Sequence, residues 1–273
     1  MPGFQRVRKL SSWRRISLSA WERPSDPSVY GWLDLDVSRA QKYLAELSRD
    51  TNCKITLTHL VGKALAMAIA DVPDVNAIVR RGRHIYARST VDIFFQVAYE
   101  SGGNLSGAKV SEADTKPLDQ IAAELTGRAR AIRSHESHEL ARSDASLGGV
   151  PPILRRFAMR AIETVIYDWG LDLSRFGVPH DGFGSAMVTN VGMFGLPHGL
   201  APLVPFSRVP ILLTIGEVRD AAVVEEGEVI VRPVLSVGVT LDHRLLDGYQ
   251  AGKLAQRFCE VMRDPARTLT RTT

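Results

Sequence analysis

The seven residues Asp242 to Gly248, DHRLLDG, set a histidine between two aspartates and end on a glycine, where the apolar run PVLSVGVTL gives way to a helix-like stretch. Imidazole changes charge close to neutrality, and a buried carboxylate beside it can hold the turn that carries the ring. Such an arrangement suits acyl transfer to a thiol. A free thiol has a pKa of about 8.5 and is largely protonated at neutral pH, so a neutral imidazole within hydrogen-bond reach supplies the missing base. His243 is the candidate for that role. His59, His84, His180 and His198 stand in no comparable setting. Gly248 would permit a backbone conformation barred to bulkier residues, or a close approach, where the chain enters the helix.

Strands and helices must hold this turn. The patterning predicts a strand over VIVRPVLSVGVTL before it, and a closing helix from Tyr249 to Met262 after it that buries Leu254, Phe258 and Met262 and stops before Pro265. A turn at Glu226-Gly227 joins the first of these to ILLTIGEV, a hairpin signal, and AMVTNV reads as a further strand before a Gly- and Pro-rich loop from Gly192 to Pro210. In the first half, WLDLDV (32–37) reads as a strand, with Ser38 capping a helix from Arg39 to Arg49. TLTHLVGKALAMAIADVP reads as a small-residue helix capped by Thr58 and stopped at Pro73. HIYARSTVDIFFQVAY supplies one or two strands that end at Gly102 and Gly103, and the stretch from Pro117 to Ala131 another helix. Mixed elements of this kind predict an α/β (α+β) two-layer sandwich, read as one domain over residues 1–273.

Composition narrows the function. The chain has 273 residues, 45% hydrophobic and 23% charged, with a formal net charge of +4. That mild excess favours anionic substrates and does not point to nucleic acid. The longest apolar run, Val61 to Ala70, is broken by Lys63, so no membrane span is expected. Cys53 and Cys259 are the only cysteines and lie far apart, which predicts a reduced, cytoplasmic protein without disulfides. Arg6, Arg8, Lys9, Arg14 and Arg15 precede the first acid, Glu22; this has the look of a transit peptide, but it is read here as an arm or helix of the mature protein. His135 and His138 in HESHE lack the order of a zinc-binding helix, and GNLSG and GMFG lack dinucleotide spacing, so neither a metal nor a nicotinamide cofactor is expected. Between His135 and Gly182 the character changes. Ile153, Leu154, Phe157, Ala161, Ile162, Val165, Ile166 and Trp169 recur at helical spacing opposite Arg155, Arg156 and Arg160. Packing on the core, a subunit or partner contact, and a membrane-surface helix all fit that pattern.

DHRLLDG, the preceding VRPVLSVGVTL and the segment from TNVGMFG to LLTIGEV together resemble the catalytic domain of dihydrolipoamide acyltransferases, the cores of 2-oxoacid dehydrogenase complexes and relatives of chloramphenicol acetyltransferase. The likeness runs upstream through ITLTHLVGKALAMAIADVPDVNA, WLDLDV and RVRKLSSWRR, and leaves out roughly residues 138–180. The resemblance implies acyl transfer between coenzyme A and a dihydrolipoyl thiol by a homotrimer, with higher assembly left open and without a metal. It implies His243 as base. Asp247 would support the turn through an ion pair with an arginine, as a buried carboxylate requires; Arg244 is adjacent but its partner is open. Thr189, next to Asn190, stands where the family usually places a serine hydroxyl that steadies the oxyanion, and the two groups would meet across a subunit boundary. Departures from the family are the extra methyl of Thr189 and GGNLSGAKV (Gly102 to Val110), where relatives have a leucine-rich strand with a Thr-Pro pair. No lipoyl or partner-binding module precedes the domain in the sequence as it stands, so a lipoyl-bearing protein is expected to act in trans. Two alternatives stay open: a catalytically silent trimeric scaffold docking through Val150 to Gly170, and transfer to a small amine or alcohol.

Overall fold

A computed structural model describes residues 26–81, 84–99, 104–133, 157, 160–171 and 181–269. The basic arm, Gly102-Gly103, HESHE, His180 and much of the amphipathic stretch lie outside these residues. The chain begins with β1 (Ser28–Asp36), α1 (Ser38–Asp50), α2 (Leu57–Asp71), β2 (Ala77–Arg80), β3 (His84–Ala87), β4 (Ile93–Tyr99), β5 (Asn104–Val110) and α3 (Leu118–Arg133). It continues with β6 (Ala186–Asn190), β7 (Ile211–Glu225), β8 (Glu228–Asp242), α4 (Gly248–Arg263) and the short α5 (Pro265–Leu269). Six strands form one sheet in the order β1-β8-β7-β6-β4-β5; β2 and β3 pair separately. β6 runs parallel to β4 and β7, and the other neighbours are antiparallel. The predicted two-layer α/β sandwich is what forms.

Side chains alternate across a strand, and here the alternation gives the sheet two differently packed faces. Ile93, Phe95, Ala186, Val188, Ile211, Leu213, Ile215, Leu235 and Val237 face the helices and form one core with α2, α3 and α4. Their neighbours Phe94, Met187 and Leu212 face the other way, into a small cluster with Phe183, Leu203 and Val204. That second face is roofed by the loop after β6. A Cβ on Gly238 would fall 2.0 Å from the Gly199 carbonyl oxygen, so only glycine lets the roof lie this close on β8.

β7 and β8 continue past the sheet as a two-stranded arm closed at Glu226 and Gly227, both at positive φ (51° and 86°), the geometry of the predicted tight turn. Val224 opposite Val229, with Val231 two residues on, share one face of the arm and are 73%, 72% and 70% exposed. The opposite face carries the Arg232–Glu225 ion pair at 2.6 Å.

Local signals were partly misread. α2 is capped by Thr56, not Thr58: its backbone N–H donates to Nδ1 of His59 at 3.0 Å in a capping box. Ser38 lies inside α1 and its hydroxyl donates to Asp36. The described part of the amphipathic stretch ends in a π-helical turn, Thr164–Asp168, which buries Ile166 and Tyr167 but leaves Phe157 and Trp169 largely exposed. It is tied to the body by polar contacts. Arg208 donates to Glu163 at 2.5 Å and to the Val79 carbonyl at 2.8 Å, the Arg81 amide donates to Asp168 at 2.7 Å, and Arg80 donates to the Tyr167 carbonyl. The Tyr167 hydroxyl reaches Asp181, itself paired with Arg88 at 2.7 Å; burial, then Asp181, pushes that hydroxyl's pKa up.

Candidate active site

His243 is the first residue beyond β8, and its backbone is fixed from both sides. Its N–H donates to the Pro27 carbonyl at 2.9 Å, and the preceding Asp242 N–H to the Pro210 carbonyl at 2.9 Å. The Asp242 carboxylate is buried and accepts from Arg244 four ways: the backbone N–H (3.0 Å), Nε (2.9 and 3.2 Å) and Nη2 (2.6 Å). This charge-assisted fork holds the Arg244 guanidinium's pKa above its ordinary value. The Asp242 carbonyl accepts from the N–H groups of Leu245 and Leu246, and the buried Leu246 anchors the turn in the core. The imidazole, carried on a rigid turn, is left exposed.

Two supporting roles therefore differ from expectation. Asp247 is exposed and makes no ion pair among the described residues; its carboxylate accepts from the Tyr249 (2.8 Å) and Gln250 (3.4 Å) amides, while Gln250 Oε1 accepts from its own N–H, a capping box that starts α4. The buried carboxylate with an arginine partner is Asp242. A cap satisfies Asp247 without burial, whereas Asp242 has no helix N-terminus to serve and takes the guanidinium. Gly248 keeps an ordinary φ, and a Cβ there would touch nothing within 4 Å. Among the described residues nothing demands glycine at that position.

Thr189 lies near the end of β6 on the roofed face, half-buried. Asn190 next to it turns to the helix side, where its amide donates to the Thr58 hydroxyl at 3.0 Å and its carbonyl accepts the Met193 N–H at 3.2 Å, pinning the strand end to α2. In register, Thr189 stands opposite Thr214 and Thr214 opposite Gly238. From Gly238 to His243 is five residues, about 17 Å along the strand, and β6 to β8 is two strand spacings, about 10 Å. The imidazole and this hydroxyl cannot meet on one carbonyl within a single chain.

Two other histidines have structural surroundings. His59 is buried, its pKa lowered to about 4 by burial, and stays neutral as a cap acceptor. His198 on the roof lies beside Trp32, ring centroids 6.2 Å apart. Lys63, read only as a break in an apolar run, is a buried tie: its Nζ donates to the Ala113, Asp114 and Lys116 carbonyls at 3.3, 2.6 and 2.8 Å, joining α2 to the turn before α3, and burial lowers its pKa to about 8.

Comparison with known proteins matches residues 5–147 and 181–270 to the family described as 2-oxoacid dehydrogenases acyltransferase (catalytic domain). The chain is 23% identical over 236 residues to a probable dihydrolipoyllysine-residue succinyltransferase component of the 2-oxoglutarate dehydrogenase complex of Schizosaccharomyces pombe, covering 85% of this chain and 43% of that protein. It is 24% identical over 226 residues to the dihydrolipoyllysine-residue acetyltransferase component of the Bacillus subtilis pyruvate dehydrogenase complex, covering 82% and 41%. The chain thus spans about two-fifths of the length of these relatives. The fold matches the cubic core of a pyruvate dehydrogenase multienzyme complex with a TM-score of 0.66 at 17% identity, covering 98% of this chain and 95% of that one. A match that takes in the DHRLLDG turn, the Thr189 strand and most of the sheet shows that this chain belongs to the 2-oxoacid dehydrogenase acyltransferase family, represented by its catalytic domain.

Proposed function

We propose that the chain moves an acyl group between coenzyme A and a dihydrolipoyl-type thiol supplied in trans, at a site completed by a second copy of itself. The observation that carries this is the rigid DHR turn, which holds an exposed imidazole far from the Thr189 hydroxyl that the family resemblance makes the oxyanion donor. In the proposed reaction His243 takes the proton from the incoming thiol, and the sulfur attacks the thioester carbonyl. The tetrahedral oxyanion accepts a hydrogen bond from Thr189. As the intermediate collapses, the bond to the departing sulfur breaks and the imidazolium returns its proton to that thiolate.

The reading includes a homotrimer as the smallest active unit. The valine face of the β7–β8 arm supports a subunit contact, since an apolar face of this exposure is uncommon on a free monomer. The relative whose structure is a cubic core makes higher assembly part of the proposal. A reducing, cytoplasmic setting fits the two free cysteines, Cys53 and Cys259. The test is acetyl transfer from acetyl-CoA to free dihydrolipoamide by the purified oligomer beside His243→Ala. Loss of turnover of about a hundredfold or more in a folded variant is expected of a missing general base. Equal rates would refute the mechanism, and a folded, inactive wild type would favour the scaffold.

A further inference from the structure

Thr214 is 1% exposed, and its hydroxyl oxygen has no hydrogen-bond partner among the described residues. A buried, unmatched hydroxyl works against folding, whereas an apolar group of the same shape costs nothing comparable. Native proteins keep few such groups, and each one calls for a reason. The surroundings supply one. Thr214 is the β7 residue in register with Thr189 of β6, and it faces the same side of the sheet, because Leu212 and Met187, two residues earlier on each strand, share the roofed cluster. Adjacent strands are about 4.8 Å apart, so these two threonines, in register on one face of the parallel β6–β7 pair, are side-chain neighbours. From above, the roof closes on the Thr214 methyl: a Cβ on Gly199 would lie 3.0 Å from it.

We infer that Thr214 is a positioning residue for the Thr189 hydroxyl, an inference that rests on Thr189 being the oxyanion donor. When negative charge grows on the substrate oxygen, Thr189 donates its proton to it, and the side-chain rotation that aims this bond brings its oxygen, an acceptor throughout, within reach of Thr214. The Thr214 O–H then donates to that oxygen, which fixes the Thr189 rotamer and strengthens its outgoing bond, since linked hydrogen bonds polarise one another. Thr214 is unpaired at rest and gains its partner as the transition state forms. A bond made only there lowers the barrier without tightening substrate binding.

The experiment compares Thr214→Val, Thr214→Ser and Thr189→Val in acetyl transfer from acetyl-CoA to dihydrolipoamide, with thermal unfolding of each. Thr214→Val is expected to lose about fivefold in kcat, the worth of one neutral hydrogen bond, with KM unchanged and Tm equal or higher. Thr214→Ser should restore kcat. A structural role would instead lower Tm and leave kcat per folded site alone. Unchanged kcat in Thr214→Val, while Thr189→Val is strongly impaired, overturns the inference and leaves the proposed function standing. Full activity in Thr189→Val overturns both.

Discussion

If the imidazole and the hydroxyl come from different copies, two dead variants should revive one another. The perturbation is co-expression of His243→Ala with Thr189→Val on separately tagged chains, purified through both tags in turn. Register places the two groups about 17 Å apart along the strands and about 10 Å across them, too far for a shared carbonyl in one chain. In the proposed cyclic trimer each site would draw the histidine from one copy and the hydroxyl from its neighbour. With random, equal mixing, a site is intact when the first copy is the Thr189→Val chain and the second is the His243→Ala chain. Each condition holds half the time, so about one quarter of wild-type activity is expected across all trimers formed. Mixed trimers alone contain one intact site in three, so the doubly purified sample should show about one third. The assay is acetyl transfer to dihydrolipoamide per mole of trimer, against each variant alone. Doubly tagged trimers no more active than the single variants would refute an inter-copy site.

Two further outcomes follow from polar groups inside the chain. Burial lowers the His59 pKa from 6.5 to about 4, so between those values the unfolded chain binds the extra proton. The stabilising contribution is fully present above pH 6.5 and is lost as pH falls toward 4, by up to about 3 kcal/mol. Urea unfolding at pH 7 and 4.5 should show this loss in the wild type and much less of it in His59→Gln, which keeps a capping-box residue; equal losses would refute it. Arg208→Ala removes the donor to Glu163 and Val79, worth about 2 kcal/mol for charged hydrogen bonds, or roughly thirtyfold in a local opening equilibrium. Amide exchange over residues 160–171 should quicken accordingly while β6 to β8 keep their protection, and unchanged exchange would show that Arg208 is not the tie.

The DHRLLDG turn and the long strands around it were legible because their signals are local. DHRLLDG, the Glu226-Gly227 hairpin and the periodic closing helix each state their structure within a few residues. What stayed hidden depends on partners distant in sequence. Asp242 and Asp247 are equivalent on paper; only the fold shows that the first is buried and must find Arg244, while the second meets a helix N-terminus. Thr58 was likewise read as the cap of α2, and the capping box with His59 at the third helical position shows that Thr56 holds that place. β5, with glycine and polar residues in NLSGAKV, lacks strand propensity. It forms because β4 offers an edge and Gly107 leaves room for the Phe94 ring. Lys63 and Thr214 carry no sequence signal at all, since both meanings come from burial.

The two faces of the six-stranded sheet also bear on how such a protein can change. Residues that hold the helices and residues that line the roofed side alternate along the same strands, yet they touch different neighbours. Replacing one class leaves the packing of the other largely intact, so their effects on free energy should add, as they do for groups without shared contacts. Residues around Thr189 and Thr214 on the roofed face can therefore be exchanged while Ile93, Phe95 and Val188 keep the scaffold standing. The alternating pleat lets the roofed face and the helix-bearing core accumulate changes separately.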